Sequence, residues 1–275
     1  MGKKNNVRSS SVPYTVLMWV ISVMMVFPFV MMVIISFRTQ GDAYKPFYAA
    51  VEPTLRNYKQ VLGHANFFDW YGNTIFTVVV TIIIRLVVTV PAAFAFAKMR
   101  FRGSSVIMAF LLATLMVPGE TTMVPRYLYF KNIGLLDSSW VIILPEISEV
   151  FYLILLTEFF RSVPDDFTEA ARIDGCGNLR ILLQIFVPLS GPSIATVVLF
   201  SFIYIWNNFI DPYLFINTIS HQLITPAMKF FQERGGANIP VQLAGSALAI
   251  IPIIILFTCT QRFFVEGVAS SGIKG

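Results

Sequence analysis

The chain has 275 residues, of which 56% are hydrophobic and 13% are charged, and its formal net charge is +5. Because soluble chains carry about 25% charged residues, this composition excludes an ordinary soluble domain and indicates a protein that crosses a membrane several times. The small positive charge is scattered along the chain, which excludes the basic patch of a nucleic-acid-binding protein.

Six stretches predict membrane-spanning helices, since about 20 apolar residues are needed to cross the hydrocarbon core of a bilayer. In chain order they are 13–37, 73–97, 104–124, 138–160, 189–214 and 241–263. The third stretch reaches full length only by including Glu120, and the fourth contains Glu146, Glu149 and Glu158. The fifth begins late, because Pro188 interrupts the helix that leads into it.

Positive charges set the predicted orientation of these spans. The basic residues 1–12 lead directly into the first apolar run, which is too long for a signal peptide and lacks an evident cleavage site. The sequence KMRFRG at 98–103 is a strong local signal for the cytoplasmic side. Six spans then place the N-terminus, the 98–103 loop, the 161–188 loop and the 264–275 tail in the cytoplasm.

The sequence carries no sign of catalysis or of a resident cofactor. Cys176 and Cys259 are far apart, and His64 and His221 also stand alone, so neither a disulfide framework nor a metal cluster is predicted. No GxxxxGK[ST] sequence is present to cradle a nucleotide phosphate. We therefore expect a non-enzymatic chain with no cofactor of its own.

The longest predicted cytoplasmic loop, residues 161–188, has the most informative sequence. Two acids beginning at Asp165 are typical of a helix start, because acids suit the positive end of the helix dipole. Phe167, Ala171 and Gly175 recur every four residues and would share one face of that helix. The residues alone predict a short amphipathic helix, a turn and a second apolar segment. An ordinary interfacial connecting helix would fit them equally well.

This loop resembles the EAA motif of ABC importer permeases, which is EAA, three residues, G, nine residues, I, one residue and LP. At these spacings the chain has Glu169-Ala170-Ala171, Gly175, Ile185 and Val187-Pro188. The only departure is a valine where leucine is usual. Most of the chain is similar to the MalG-like permease of maltose-type carbohydrate importers. The segments that carry this similarity are PTLRNYKQVL at 53–62, KMRFRG, the fourth span, the Trp206-Asn207 stretch and the tail GVASSGIKG.

The resemblance implies an all-α, MetI-like type I ABC importer permease, with six transmembrane helices in a single domain over 70–265. It implies a prokaryotic cytoplasmic membrane and four kinds of partner: a homologous second permease, two cytoplasmic ATPase subunits that hold ATP and Mg²⁺, an extracytoplasmic sugar-binding protein, and lipid. The residues expected to couple to the ATPase are Glu169, Ala170, Ala171, Asp174, Gly175, Ile185 and Pro188. The tail residues Gly272, Lys274 and Gly275 are expected to contact the ATPase as well.

Three charges lie inside the predicted spans, namely Arg85 in the second and Glu146 and Glu149 in the fourth. By insertion scales, a charge at the centre of a bilayer costs about 2.5–3.5 kcal/mol, so Arg85 is expected to have a partner. The two glutamates are three residues apart, on one predicted helical face, and either could pair with Arg85. The pair would be structural or would contribute to the polar lining of a path.

The polar stretch of the fifth span contains the candidates for lining a sugar path: Trp206, Asn207, Asn208 and Asp211. Helix packing with amide hydrogen bonds explains these residues equally well. The predicted external loop 215–242 lies where the family has a loop that approaches the sugar site of the binding protein. It could equally be a plain connector.

Two other functions remain open at this point. The EAA loop would also fit an ABC permease for another solute, such as an amino acid, a peptide or a polyol. A self-sufficient secondary transporter would use Arg85, Glu146 and Glu149 for ion coupling, but the internal repeats that would support this reading are not evident. The sequence favours an ABC importer permease for a di- or oligosaccharide, and it does not name the sugar.

Overall fold

The computed structural model describes residues 11–233 and 236–271. The regular secondary structure of these residues is helical, apart from the two-residue antiparallel strands β1 (Gln232–Glu233) and β2 (Gly236–Ala237). In chain order the α-helices are α1 (Ser11–Ser36), α2 (Arg56–Leu62), α3 (Phe67–Lys98), α4 (Ser104–Thr114), α5 (Met123–Asn132), α6 (Trp140–Glu146), α7 (Val150–Ser162), α8 (Asp166–Ile173), α9 (Asn178–Leu189), α10 (Gly191–Trp206), α11 (Ile210–Phe215), α12 (Ile224–Ala227), α13 (Ile239–Ala249) and α14 (Ile251–Ser271). The all-α class predicted from the sequence is confirmed.

Four helical stretches in the described residues are long and apolar enough to cross a membrane: Pro13–Ser36, Phe67–Lys98, Trp140–Ser162 and Ile239–Gln261. Two bent helix pairs pass the same test, Ser104–Thr114 with Gly119–Asn132 and Asn178–Leu189 with Gly191–Trp206. The number of spans reaches the predicted six if each bent pair forms one span.

The chain divides into two compact units, and the first comprises Met1–Phe67 and Met228–Ile250. Within it, α1 and α2 both pack against α13. The loop that follows α1 is held by Asn57, whose amide donates to the carbonyl oxygens of Ser36 and Arg38 at 2.7 Å each. These bonds satisfy carbonyls that lie at or beyond the end of α1 and fix the entry into α2.

The second unit comprises Phe68–Ala227 and Ile251–Gly275. Its core next to the 161–188 loop is an edge-to-face cluster of Phe94, Phe160 and Phe186, which come from α3, α7 and α9. The ring of Phe186 lies 5.0 Å from that of Phe94 and 5.4 Å from that of Phe160, measured between centroids. Aromatic pairs in this geometry contribute about 0.5–1.5 kcal/mol beyond their buried area. The C-terminal part of the loop, which forms α9, is therefore anchored on α3 and α7.

Four of the six predicted spans contain a break between helices in the described residues, and the breaks in the third and fifth spans are described here. The 104–124 stretch leaves the α-helical conformation after Thr114, and the chain bends by 89° before it resumes at Gly119. Pro118 stands at this bend, and proline provides no N–H to continue a helix. In the 189–214 stretch, α10 ends at Trp206, where the side-chain amide of Asn207 donates to the carbonyl oxygen of Ile203 at 2.8 Å. Such local side-chain bonds compete with helix continuation.

Candidate functional site

The start of the EAA motif forms α8 and the turn that ends it. Asp166–Ile173 is helical, and Gly175 follows with a φ of +77°, in the left-handed region that glycine adopts without a Cβ penalty. The N–H of Cys176 then donates to the carbonyl oxygen of Ala171 at 2.9 Å. This arrangement is a common way of ending a helix, and it redirects the chain into α9.

One side of α8 is buried within the chain and the other is exposed. Thr168 and Ala171 are buried, whereas Phe167 is 49% exposed. The prediction that Phe167, Ala171 and Gly175 share one face is wrong. Each step of four residues turns a helix by about 40° beyond a full turn, and α8 ends at Ile173, before Gly175. The exposed side instead presents two motif residues, Glu169 and Ala170, together with Asp174, which precedes the motif glycine.

The last motif residues belong to α9 and its end. Ile185 is half-buried and packs on the aromatic core of the second unit, within a π-helical turn over Leu182–Phe186. Pro188 lies in the last turn of α9, just before Ser190, where the chain bends by 78° into α10. These two positions shape the passage from the loop into α10 and are not part of the exposed side of α8.

Lys98, the last residue of α3, connects that helix to the start of α8. Its Nζ donates to the carbonyl oxygen of Val163 and to Oδ1 of Asp165, both at 2.6 Å. The hydrogen bond from Lys98 lowers the pKa of Asp165. Lys98 and Asp165 line a polar groove of about 560 Å³ together with Arg100, Glu169 and Arg172.

We expect Lys98→Met to release α8 from α3. Because Asp165 is largely exposed and solvent screens its contact with Lys98, the effect should be moderate, and amide exchange over 166–173 should accelerate by up to roughly tenfold. Hydrogen exchange with mass spectrometry measures the exchange rate, and Arg161→Met, which breaks an exposed ion pair with Glu158, is the control.

The attachment should also depend on pH. Because the contact with Lys98 lowers the pKa of Asp165, the attachment is fully present above the ordinary aspartate pKa of 3.8 and is lost only as the pH falls below that value. Unchanged exchange in Lys98→Met would contradict the attachment.

Arg85 lies in the middle of α3 and is completely buried. Its Nε donates to the carbonyl oxygen of Glu146 at 2.8 Å, its Nη2 to Oε2 of Glu146 at 2.9 Å, and its Nη1 to Oγ of Ser201 at 2.5 Å. The guanidinium also lies over the ring of Tyr152, 4.4 Å from the centroid. One side chain therefore joins α3 to α6, α7 and α10.

The structure selects Glu146 as the partner of Arg85 and separates it from Glu149. The helix α6 ends at Glu146, and α7 begins at Val150, with Glu149 as its N-cap. The prediction that the two glutamates share a helical face is wrong because the helix is broken between them. The break leaves the carbonyl of Glu146 without a helical N–H, and Arg85 satisfies it.

A second polar cluster lines a cavity of about 450 Å³. In its wall, Nη2 of Arg126 donates to Oδ1 of Asp211 at 2.9 Å, and Nη1 donates to Oδ2 at 3.4 Å. The amide of Asn208 donates to Oδ2 of Asp211 at 3.2 Å. Asn207, Glu120 and Tyr204 also line the cavity, so three of the four path-lining candidates meet in one place.

Trp206, the fourth candidate, is not in the wall of this cavity. It is 2% exposed and stacks on Phe202 with 5.1 Å between ring centroids. In the structure Trp206 therefore contributes to packing and does not line the cavity. A tryptophan next to a polar stretch in the sequence can face either the core or a cavity. Sequence reasoning missed Glu120 and Arg126 as members of the cluster. For Glu120 the sequence did contain a signal, because this charged residue interrupts the third apolar stretch.

The predicted external loop 215–242 is fixed at its beginning. The carboxylate of Asp137 accepts the backbone N–H groups of Asn217 and Thr218 at 2.8 and 2.7 Å. The indole of Trp70 donates to the carbonyl oxygen of Ile219 at 2.6 Å. Residues 234–235 of this loop and the tail residues Gly272, Lys274 and Gly275 lie outside the described residues. The role of the loop toward a binding protein stays a prediction.

Comparison with known proteins identifies the family. Residues 87–270 match the family described as binding-protein-dependent transport system inner membrane component. Protein LplC of Bacillus subtilis is 30% identical, with 91% of this chain and 90% of LplC aligned. The arabinooligosaccharides transport system permease protein AraQ of Halalkalibacterium halodurans is 28% identical, with 91% of each chain aligned.

A solved structure has the same fold over almost the whole chain. It is the crystal structure of a bacterial ABC transporter involved in the import of the acidic polysaccharide alginate. One of its chains superposes with a TM-score of 0.83 at 25% identity, covering 96% of this chain and 99% of that one. This chain therefore belongs to the family of binding-protein-dependent transport system inner membrane components, the non-catalytic permease subunits of ABC transporters.

Proposed function

We propose that this chain is a permease subunit of an ATP-driven importer that receives a di- or oligosaccharide from an external binding protein. The observation that carries the proposal is the exposed side of α8, where the motif residues Glu169 and Ala170 and the neighbouring Asp174 face outward. The names of its relatives support a saccharide as the solute, since AraQ is named for arabinooligosaccharides and the solved structure for alginate.

The proposed assembly contains a second, homologous permease and two ATPase subunits, which would hold ATP and Mg²⁺. The orientation follows the basic KMRFRG sequence, which puts α8 and both termini on the cytoplasmic side. The tail residues Gly272, Lys274 and Gly275 would reach the ATPase from there.

The contacts of the second unit supply a route for coupling. A cleft on the ATPase would receive α8, because Ala170 permits close approach and the carboxylate of Glu169 can bind a basic group. When the cleft moves, α8 carries α3 with it through Lys98, and Arg85 links α3 in turn to α10. A displacement at the surface would thus reach the helices in the membrane as a movement of packed elements.

The alternative of an ion-coupled secondary transporter is not favoured. Members of this family are ABC transporter permeases, and the side chain of Arg85 is 0% exposed and already engaged by Glu146 and Ser201. A buried guanidinium that is already paired is suited to holding helices together and offers no accessible site to a coupling ion.

The proposal predicts that Glu169→Ala disables uptake. The importer would be purified with its partner permease, ATPase and binding protein, reconstituted in liposomes and supplied with ATP. Glu169→Ala should lower sugar uptake at least tenfold, roughly the effect of losing one charge-assisted contact at an interface. Glu158→Ala, another exposed glutamate, is the matched control and should transport normally. Uptake without any ATPase, or full uptake by Glu169→Ala, would contradict the proposal.

A further inference from the structure

Two interrupted helices meet at the same cavity of about 450 Å³. One break follows α4, with a bend of 89° before Gly119, and the other separates α10 from α11 at 207–209. Residues from both breaks line the cavity. Irregular backbone at membrane depth is tolerated only where it is buried in protein or lines a water-filled cavity. Interrupted helices also form the substrate sites of many transporters.

The polar groups in the cavity are only partly satisfied within the chain. Asp211 is engaged within the chain, because its carboxylate accepts from both terminal nitrogens of Arg126 and from the amide of Asn208. Nε of Arg126, however, is buried without a hydrogen-bond partner. Among the described residues, the carboxylate of Glu120 has no ion-pair or hydrogen-bond partner. The exposed carboxylate of Glu120 is therefore the charged acceptor that remains available to a ligand in the cavity.

Aromatic surface is available beside these polar groups. Tyr204 is 58% exposed and Phe209 is 43% exposed, and both line the cavity. Phe209 is held in place by stacking on Tyr213 at 5.5 Å between centroids. A sugar ring presents apolar C–H faces and a rim of hydroxyl groups. An aromatic face next to a carboxylate and an amide suits both parts of that surface.

The charge of the cavity determines which sugars fit. Glu120 and Asp211 contribute two negative charges against the one positive charge of Arg126, which leaves a net charge of −1. The guanidinium is already occupied by Asp211, so it cannot bind an incoming carboxylate in the same bidentate manner. A uronate would therefore meet Glu120 without a compensating cation, whereas a neutral hydroxyl group can donate to the same carboxylate.

We propose that this cavity is the contact site of this chain for the transported saccharide, and that it accepts uncharged sugar residues and rejects uronates. The inference rests on the proposed function, and it specifies the substrate class within it. It also distinguishes this chain from the alginate importer that shares its fold, whose substrate is an acidic polysaccharide.

The first test uses the complete importer in liposomes with its binding protein and internal ATP. The probes are four labelled neutral disaccharides (maltose, melibiose, cellobiose and arabinobiose) and digalacturonate. We expect ATP-dependent uptake of a neutral sugar and none of digalacturonate. Uptake of digalacturonate would overturn the inference while leaving the proposed function intact. Uptake of none of the saccharides by the assembled complex would contradict the proposed function itself.

The second test asks whether the cavity contacts the sugar. Glu120→Gln and Asn207→Ala should each raise the concentration of sugar-loaded binding protein that gives half-maximal uptake, roughly tenfold for the charged group and less for the amide. Co-purification of the ATPase verifies that both variants assemble. Glu158→Gln is the control, because it changes an exposed glutamate far from the cavity in sequence and outside its lining. If both cavity variants assemble and keep the wild-type half-maximal concentration, the inference is wrong.

Discussion

Replacing Arg85 with methionine should destabilise the folded chain by about 3–5 kcal/mol, the usual cost of leaving one member of a buried ion pair without its partner. The structure explains why the loss would be large. The side chain of Arg85 is fully buried, and that of Glu146 is 10% exposed. Removing the guanidinium leaves the Glu146 carboxylate and the carbonyl oxygen at the end of α6 without a donor. Thermal unfolding of the purified protein in detergent measures the change.

Substitutions at the two positions should differ in a defined order. Glu146→Gln should be milder than Arg85→Met, because Arg85 keeps its bond to the main-chain carbonyl of residue 146, and Ser201 and Tyr152 still contact the guanidinium. Arg85→Lys should be intermediate, since a single ammonium cannot reach all the acceptors that the planar guanidinium spans. The double variant Arg85→Met with Glu146→Leu should recover part of the loss, because no charge is then left buried.

Arg161→Met provides the control for this series. Its ion pair with Glu158 is similar in chemistry but exposed, with 48% and 62% of the two side chains accessible. Exposed pairs contribute about 0–1 kcal/mol, so this variant should unfold close to the wild-type temperature. If Arg85→Met were as stable as Arg161→Met, the role of Arg85 in holding four helices together would be refuted.

The need of Arg85 for a partner could be predicted from the sequence, whereas the choice of partner could not. The prediction depended only on the cost of a charge in an apolar span. The choice of Glu146 depends on the end of α6, which frees a carbonyl at the place where the guanidinium lies. A helix drawn through 138–160 hides that carbonyl, because every main-chain group inside a regular helix is already paired.

The cavity illustrates a second limit. The polar stretch from Asn207 to Asp211 is visible in the sequence, but Arg126 lies 85 residues before its partner Asp211. Contacts between distant helices follow from packing, which a single sequence does not specify. Hydropathy also could not show that Trp206 is buried while Asn207, Asn208 and Asp211 line the cavity. The local sequence is the same whether the indole packs in the core or lines a path. The structure separates them by burial.

Gly175→Val should uncouple sugar uptake from ATP hydrolysis. Gly175 has a φ of +77°, and no heavy atom lies within 4 Å of the position that a Cβ would occupy. A side chain would therefore meet no obstacle within the chain, and any damage would come from the backbone conformation. The left-handed region costs an ordinary residue about 1–2 kcal/mol, and a β-branched residue is especially unsuited to it. The turn after α8 would then shift the exposed side that bears Glu169.

A matched series separates the backbone from the surface. Asparagine tolerates the left-handed region, so Gly175→Asn should keep uptake within about threefold of the wild type, whereas Gly175→Val should lose at least tenfold. Gly72→Ala, in the helical α3 with open space around it, should transport normally. Uptake and ATP hydrolysis would be measured in the same liposomes. An equal loss of uptake with asparagine and valine would contradict the role of the backbone conformation. It would mean that the ATPase occupies the space beside Gly175, so that glycine is needed there because it has no side chain.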